Sequence, residues 1–476
     1  MATETEVKPE GYVENTALLP VKMSDRTYGL RTWSFLMFGL NTCIPMFFLG
    51  SISYGLGLSP TEMILAALLG NFFAVIAMLL NAAPGVKYGI PYPVQAREAF
   101  GFLGSYIPTL FRGIVGAGWF GIEVFAGSLA LTDIVLYALG VSNPAQTAFT
   151  YVTIFVVIYL AAVYLVMGAG LKGIGMVADY GGPLMLLYFV WLVWFISTKT
   201  SSFNIPAGVG LGSGAFAVML GIQTNWWATM AINISDLSRG AKSYTAVIVG
   251  AMVGIVVGQI VGTSCGYYLS AFTTYILPQD IILNFAPGAI AIILGLFFAF
   301  LAPFSTDVTA NTPALVNIFT SIFKLKWKYA VAAACILAFF ITPWWNAANA
   351  TAYLNYVQSF AGNYGLILGP IAGVLICSYW VLRKQNLDMK RLYTRGPGGY
   401  WYHGGIRYSG LGAFLLAIVL CYVTAYALPN TAGIAIQQWN LYGSVNIPIP
   451  GQLAWYTGVI YGFVLMWILT KLTKEY

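Results

Sequence analysis

Gly39-Leu40-Asn41-Thr42-Cys43-Ile44-Pro45 is the stretch on which the fold turns. It lies inside an apolar run, residues 33–56, long enough to cross a bilayer as one helix. A polar, proline-bearing centre is foreign to such a helix, because hydrocarbon offers no partner for freed backbone groups. Irregular backbone at that depth is tolerated where it lines a cavity. A second run, residues 210–233, carries Gly221-Ile222-Gln223-Thr224-Asn225-Trp226-Trp227 at its centre. The two share a Gly-x-(Asn/Gln)-Thr echo. Gly and Thr are common in membrane helices, so the echo draws its weight from position, five spans apart. Interrupted segments at matching places in two halves of a chain point to an inverted repeat with a binding site between them.

The rest of the chain fits an all-α integral membrane protein. Of its 476 residues, 59% are hydrophobic and 8% charged, and mean hydropathy is +0.78. Twelve spans are expected: 33–56, 61–82, 104–138, 148–168, 179–198, 210–233, 243–270, 287–321, 328–346, 350–382, 408–428 and 452–471. With both termini on one side, 21 of the 22 Lys and Arg residues gather there and Lys199 stands alone opposite. The positive-inside rule makes that side the cytosol. The net charge of +7 therefore expresses topology and calls for no nucleic-acid partner. Residues 1–32 are polar, without the apolar core of a cleavable signal. Cys43, Cys265, Cys335, Cys377 and Cys421 form no CxxC pair and read as small core residues. The one histidine, His403, falls in a basic loop, so no His-based metal site or proton relay is expected. No Walker-type phosphate loop is present to drive pumping with ATP.

Working outward, the polar groups inside spans are few. Gly118-Trp119-Phe120-Gly121-Ile122-Glu123-Val124-Phe125 sits in an apolar run from Leu110 to Leu139 broken only by Arg112, Glu123 and Asp133. An acid at that depth is costly and by default faces a bundle interior or a cavity. Trp119 lies one helical turn before Glu123, so indole and carboxyl share a face. Gly118 and Gly121 allow close approach there. The bland reading is a packed aromatic beside an acid that ties two helices together; for Trp119 alone core packing would suffice. In span eight, Pro303 to Thr312 holds Ser305, Thr306, Asp307, Thr309 and Asn311. Ser305 and Thr306 are hard oxygen donors of the sort an alkali cation needs, and free carbonyls at the break in span one would complete its shell. Against this, Ser and Thr hydroxyls often bond back to the carbonyl of residue i−4; the density of polar groups favours a site. Gly85 to Arg97 and Ser235 to Arg239 read as ordered cytosolic loops or interfacial helices, their charges as anchors and lid pairings.

Lys87-to-Gly101 (KYGIPYPVQAREAFG) followed by Gly118-to-Gly127 (GWFGIEVFAG) resembles the nucleobase–cation symport family of hydantoin, allantoin, uracil and cytosine permeases. Trp227-to-Lys242 (WATMAINISDLSRGAK), Ser305-to-Asn311 (STDVTAN) and Ser378-to-Arg383 continue the resemblance in order and spacing, from about Asp25 onward. It implies a 5+5 inverted repeat with broken helices 1 and 6, followed by two further C-terminal helices. The corresponding divisions are a flexible cytosolic N-terminus 1–24, repeats 25–198 and 199–382, and a loop with two helices at 383–476. The resemblance implies that Trp119 and Trp227 stack the two faces of a planar heterocycle and that Asn311 contacts its edge. It also implies a sodium site at Ser305 and Thr306 with backbone carbonyls of Ala302, Asn41 and Ile44.

Three positions depart from that family pattern. Glu123 stands where an amide is usual; ionised, it accepts hydrogen bonds only. That favours a ring edge rich in N–H donors, an aminopyrimidine, an aminopurine or a cationic ring such as a thiamine precursor, and disfavours a plain uracil or hydantoin edge unless Glu123 is protonated. Trp226 precedes Trp227 where a small residue is common, and either narrows the pocket or packs outward. Asp307 either adds charge to the cation site or titrates and carries a proton; the hydroxyl pair favours sodium. The expected function is sodium-coupled import of a nucleobase or related planar ring across the plasma membrane, by a monomer working through alternating access. Proton-coupled uptake of a hydroxymethylpyrimidine-like vitamin precursor, or of allantoin, hydantoin or uracil, is the alternative. A sensor on the same scaffold is another, which counterflow of labelled substrate would separate from a carrier. No nucleophile or metal constellation supports an enzyme, and no repeated filter sequence supports a channel.

Overall fold

The structure is a computed structural model that describes residues 16–168, 181–200, 203–273, 275, 277–342, 349–427, 436–441, 445–450 and 453–476. Residues 1–15 of the N-terminal segment, Lys172, the start of the 179–198 span and the end of the 328–346 span lie outside these. The chain order is α1 (Leu30–Asn41), α2 (Ile44–Gly55), α3 (Pro60–Tyr88), α4 (Tyr92–Phe100), α5 (Tyr106–Ala138), α6 (Pro144–Gly168) and α7 (Gly181–Ser197). Next come α8 (Gly214–Ala228), the short α9 (Met230–Asn233) and α10 (Ser235–Ser238), α11 (Tyr244–Phe272), α12 (Pro278–Phe285) and α13 (Gly288–Thr306). The chain ends with α14 (Thr312–Ser321), α15 (Trp327–Ile341), α16 (Ala350–Asn363), α17 (Gly365–Ile376), α18 (Met389–Tyr393), α19 (Tyr408–Ala427) and α20 (Ala454–Thr473). Among the described residues, seven helices or helix runs are each long and apolar enough to cross a membrane. The bent pair α1–α2 makes an eighth.

The break between α1 and α2 follows from Pro45. Its ring removes the amide that would bond to the Asn41 carbonyl and crowds that carbonyl. Ile44 and Pro45 fill the first two positions of α2, where a missing amide costs no intrahelical bond. Thr42 leaves the helical region, Cys43 is extended, and the two halves meet at 56°. The second interruption falls later than the sequence placed it. Gly221 to Trp227 runs as unbroken helix, and α8 ends at Ala228 with Thr229 still in right-handed backbone geometry. Without a proline, one glycine is not enough to break a helix.

Between the last two long helices an antiparallel hairpin pairs β1 (Ile436–Leu441) with β2 (Val445–Pro450). Val445, Ile447 and Ile449 alternate as β-branched residues do in strands. Among the described residues three π-helical turns interrupt helices, at Met252–Val257, Asp307–Asn311 and Cys377–Leu382. Close backbone approach supports the packing between α2 and α11: a Cβ at Gly50 would collide with the Thr263 carbonyl and the Tyr267 amide.

The basic-side segments, expected as ordered loops or interfacial helices, include short buried helices. Gly89, in the left-handed conformation, ends α3, and the chain re-enters as α4, whose residues are all buried. Leu18, Ile90, Val94, Leu387, Leu392 and Tyr400 belong to a second, smaller apolar core. Glu98 on α4 accepts from Ser378 Oγ at 2.9 Å and Arg383 Nε at 3.2 Å, with Arg407 Nη1 at 3.8 Å. Arg112, counted with the loop charges, is buried in α5, where its Nε donates to Asn233 Oδ1 at 3.0 Å. Asp236 Oδ2 accepts from Asn233 and Asn317, and its Oδ1 accepts from the Tyr92 amide. These charges clamp α4, α5, α9, α10 and α14 together.

Candidate binding site

A cavity of about 30 Å³ lies where the α1–α2 break, the middle of α5, the end of α8 and the π turn after α13 converge. That volume is about one water molecule's share of the liquid. Trp119, Glu123, Trp226, Trp227, Thr306 and Asn311 all line it, together with Leu40 and Cys43 at the break. Ala302, Ser305, Asp307, Asn41 and Ile44 are not among its lining residues.

Glu123 is buried, and its Oε2 has no hydrogen-bond partner among the described residues. Its other contact is the thiol of Cys43, presented by the break. An unsatisfied buried acceptor costs about 1–3 kcal/mol, and on a cavity wall this one is placed to be met by a ligand.

Trp119 is held on all sides. Its Nε1 donates to the Tyr364 hydroxyl at 3.0 Å, and that hydroxyl donates to the Asn225 carbonyl at 2.6 Å. Asn225 lies in the last turn of α8, where carbonyls lack intrahelical partners. The late end of α8 thus orients an indole on α5. Phe360 meets the indole edge-to-face, with centroids 5.5 Å apart; it occupies the space that a Cβ at Gly118 would need. Trp226 packs against Trp119 at 4.6 Å and 66°, so it faces inward. The expected partner, Trp227, also lines the cavity, and its buried Nε1 has no acceptor among the described residues.

Asn311 donates from Nδ2 to Asp307 Oδ1 at 2.9 Å, and the Tyr159 hydroxyl donates to Asp307 Oδ2 at 2.8 Å. Thr306 Oγ1 donates weakly to the Ala302 carbonyl at 3.3 Å and the Gly39 carbonyl at 3.5 Å. Ser305 Oγ is buried without a hydrogen-bond partner among the described residues. The Asn41 carbonyl accepts from the Cys43 amide, and its side chain ties the break to the π turn of α11 through the Gly254 and Ile255 carbonyls. The oxygens brought together at the break are those of Thr306, Ala302 and Gly39. Gly39, Cys43, Tyr159, Phe360 and Tyr364 escaped sequence reasoning. Gly39 and Cys43, both within the broken stretch, carried a local signal; the other three did not.

Residues 20–441 match the family described as permeases for cytosine/purines, uracil, thiamine and allantoin, and the chain belongs to that family. It is a multi-pass membrane transporter and not an enzyme. It is 28% identical to the purine-uracil permease NCS1 of Arabidopsis thaliana, over 88% of this chain and 74% of that one. It is 26% identical to the allantoin permease of Bacillus subtilis, over 96% and 93%. Its fold is that of Mhp1, a nucleobase-cation-symport-1 family transporter solved in a closed conformation with bromovinylhydantoin bound. The TM-score is 0.78 at 21% identity, covering 97% of each chain. The inward-facing form of Mhp1 aligns with a TM-score of 0.76 at 20% identity, over 97% and 95%.

Proposed function

We propose that this chain is a sodium-coupled symporter that imports an amino-bearing nucleobase, cytosine or a purine, by alternating access. The observation that carries the reading is the unpartnered Glu123 Oε2 on a cavity wall shared with Trp119, Trp226, Trp227 and Asn311. A carboxylate accepts only, so a ring presenting amino or N–H donors satisfies it and an oxo edge repels it. The indoles supply stacking surface, worth about 1–3 kcal/mol per base in nucleic-acid-binding proteins.

Sodium is the coupling ion in this reading. Ser305 Oγ is buried without a hydrogen-bond partner among the described residues, and Thr306 lies beside the carbonyls of Ala302 and, at the broken helix, Gly39. The protein acts as a plasma-membrane monomer with cytosolic termini. Twelve spans are arranged as inverted repeats at 25–198 and 199–382 plus the C-terminal pair.

The test is tryptophan fluorescence of the purified protein, titrated with cytosine, adenine, guanine, uracil, hydantoin, allantoin and a hydroxymethylpyrimidine. Each is measured in sodium and in choline. Quenching by an amino-bearing ring, tightened by sodium and no longer tightened after Ser305→Ala with Thr306→Ala, supports the reading. Binding that ignores sodium and follows pH transfers coupling to protons; preference for uracil or hydantoin overturns the substrate class.

A further inference from the structure

Asp307 is the second buried acid beside the cavity and, unlike Glu123, is absent from its lining. It opens the π-helical turn that ends at Asn311, a distortion common at functional sites. Both of its oxygens are occupied, one by the Tyr159 hydroxyl and one by the Asn311 amide nitrogen. A carboxylate accepts hydrogen bonds and an amide has one end of each kind. The acid therefore dictates which way round the Asn311 amide sits. With its nitrogen held at 2.9 Å from Asp307 Oδ1, the carbonyl oxygen is the end left for the cavity that Asn311 lines. Glu123 Oε2 is a second acceptor on the same wall, and the Trp227 N–H is an unclaimed donor.

We propose that Asp307 is a positioning residue for substrate selection. By holding the Asn311 nitrogen it makes Asn311 an acceptor, so that Asn311 and Glu123 together select ring edges with two adjacent donors. The proposal rests on the reading of Asn311 as a substrate contact. An amide not held in this way rotates to offer either end, and an oxo-bearing edge is then accepted as readily as an amino-bearing one.

The experiment is competition for binding by two ring pairs, guanine with xanthine and isocytosine with uracil. Within each pair an amino donor is exchanged for an oxo acceptor beside a shared N–H. The unaltered protein is expected to prefer the amino member of each pair. Asp307→Asn is expected to cut that preference about tenfold, one hydrogen bond's worth of discrimination. The same change made on top of Asn311→Ala is expected to leave the remaining preference alone, because Asp307 acts through Asn311. A purely structural Asp307 would weaken both members equally and leave the ratio unmoved. If Asp307→Asn does not yield folded protein, Asp307→Ser removes the acid and is judged by the same ratio.

An unchanged ratio in Asp307→Asn, with a ratio that collapses in Asn311→Ala, overturns the proposal and leaves the substrate contact standing. An unchanged ratio in Asn311→Ala removes the contact, and the proposal with it. A shift that survives in the Asn311→Ala background means that Asp307 acts directly, which also overturns it. So does an unaltered protein that prefers the oxo members.

Discussion

Glu98 and Glu123 are both buried glutamates, yet their surroundings are opposite. Glu98, in the basic-side layer, is met by Ser378, Arg383 and Arg407. Glu123, in the membrane body, meets a thiol and leaves one oxygen unmatched. A buried charge whose partners are supplied by the chain holds elements together; one whose partner is missing is kept for what comes to it. The same contrast separates Arg407 Nη1 and Nη2, which donate to the Glu98 carbonyl, Ser378, Thr470 and the Glu475 carbonyl, from the Trp227 N–H, which finds no acceptor among the described residues.

Removing each acid tests the contrast most severely. Glu98→Ala leaves the guanidiniums of Arg383 and Arg407 without their buried counter-charge, and breaking a buried pair in this way costs about 3–5 kcal/mol. A large fall in melting temperature in detergent is expected. Glu123→Gln, which removes an unmatched charge, is expected to hold or raise it; equal falls would erase the distinction. On binding the order reverses. Glu123→Gln is expected to move preference from amino-bearing toward oxo-bearing rings by about 1–3 kcal/mol, the cost of a mismatched buried polar group. Glu98 variants that remain folded should leave the ranking as it was, and a shift there would show that the two regions are coupled.

Trp226→Ala removes an edge-to-face neighbour of Trp119, a contact worth about 0.5–1.5 kcal/mol. It also opens room beside the cavity, so bicyclic rings should gain on monocyclic ones in competition. No change in size ranking would make Trp226 mere packing. The smallest effect is expected at Glu475. Burial opposes its charge, but hydrogen bonds from the Ser409 and Tyr408 amides and from Thr473 outweigh that and hold the carboxyl below its ordinary value. Its stabilisation is therefore complete above the unfolded value of about 4.3 and is lost as pH falls through the lower folded value. Melting temperature followed into acid should decline less steeply in Glu475→Gln. Parallel curves would show that the tail contributes nothing.

What the sequence made legible was local. Pro45 announces its break because the chemistry of one residue causes it. Trp119 and Glu123 announce a shared face because they lie one turn apart on a regular helix. The late end of α8 has no such residue, and it matters only through Tyr364, whose hydroxyl reaches from a distant helix to the Asn225 carbonyl. Arg97 and Arg407 entered the charge count that assigned a side of the membrane, and that count gave no sign that both are buried. Charge bias in a loop reports a side of the membrane and is silent about packing.

The π turn at Asp307–Asn311 makes the helix one residue richer than its length requires. Each residue of an α-helix accounts for about 100° of rotation. Deleting a single residue there would restore regular winding and swing α14 through that angle. Asn317 would be carried away from Asp236, so the phase of the whole helix, and with it the link between cavity and basic-side clamp, is stored in one surplus residue.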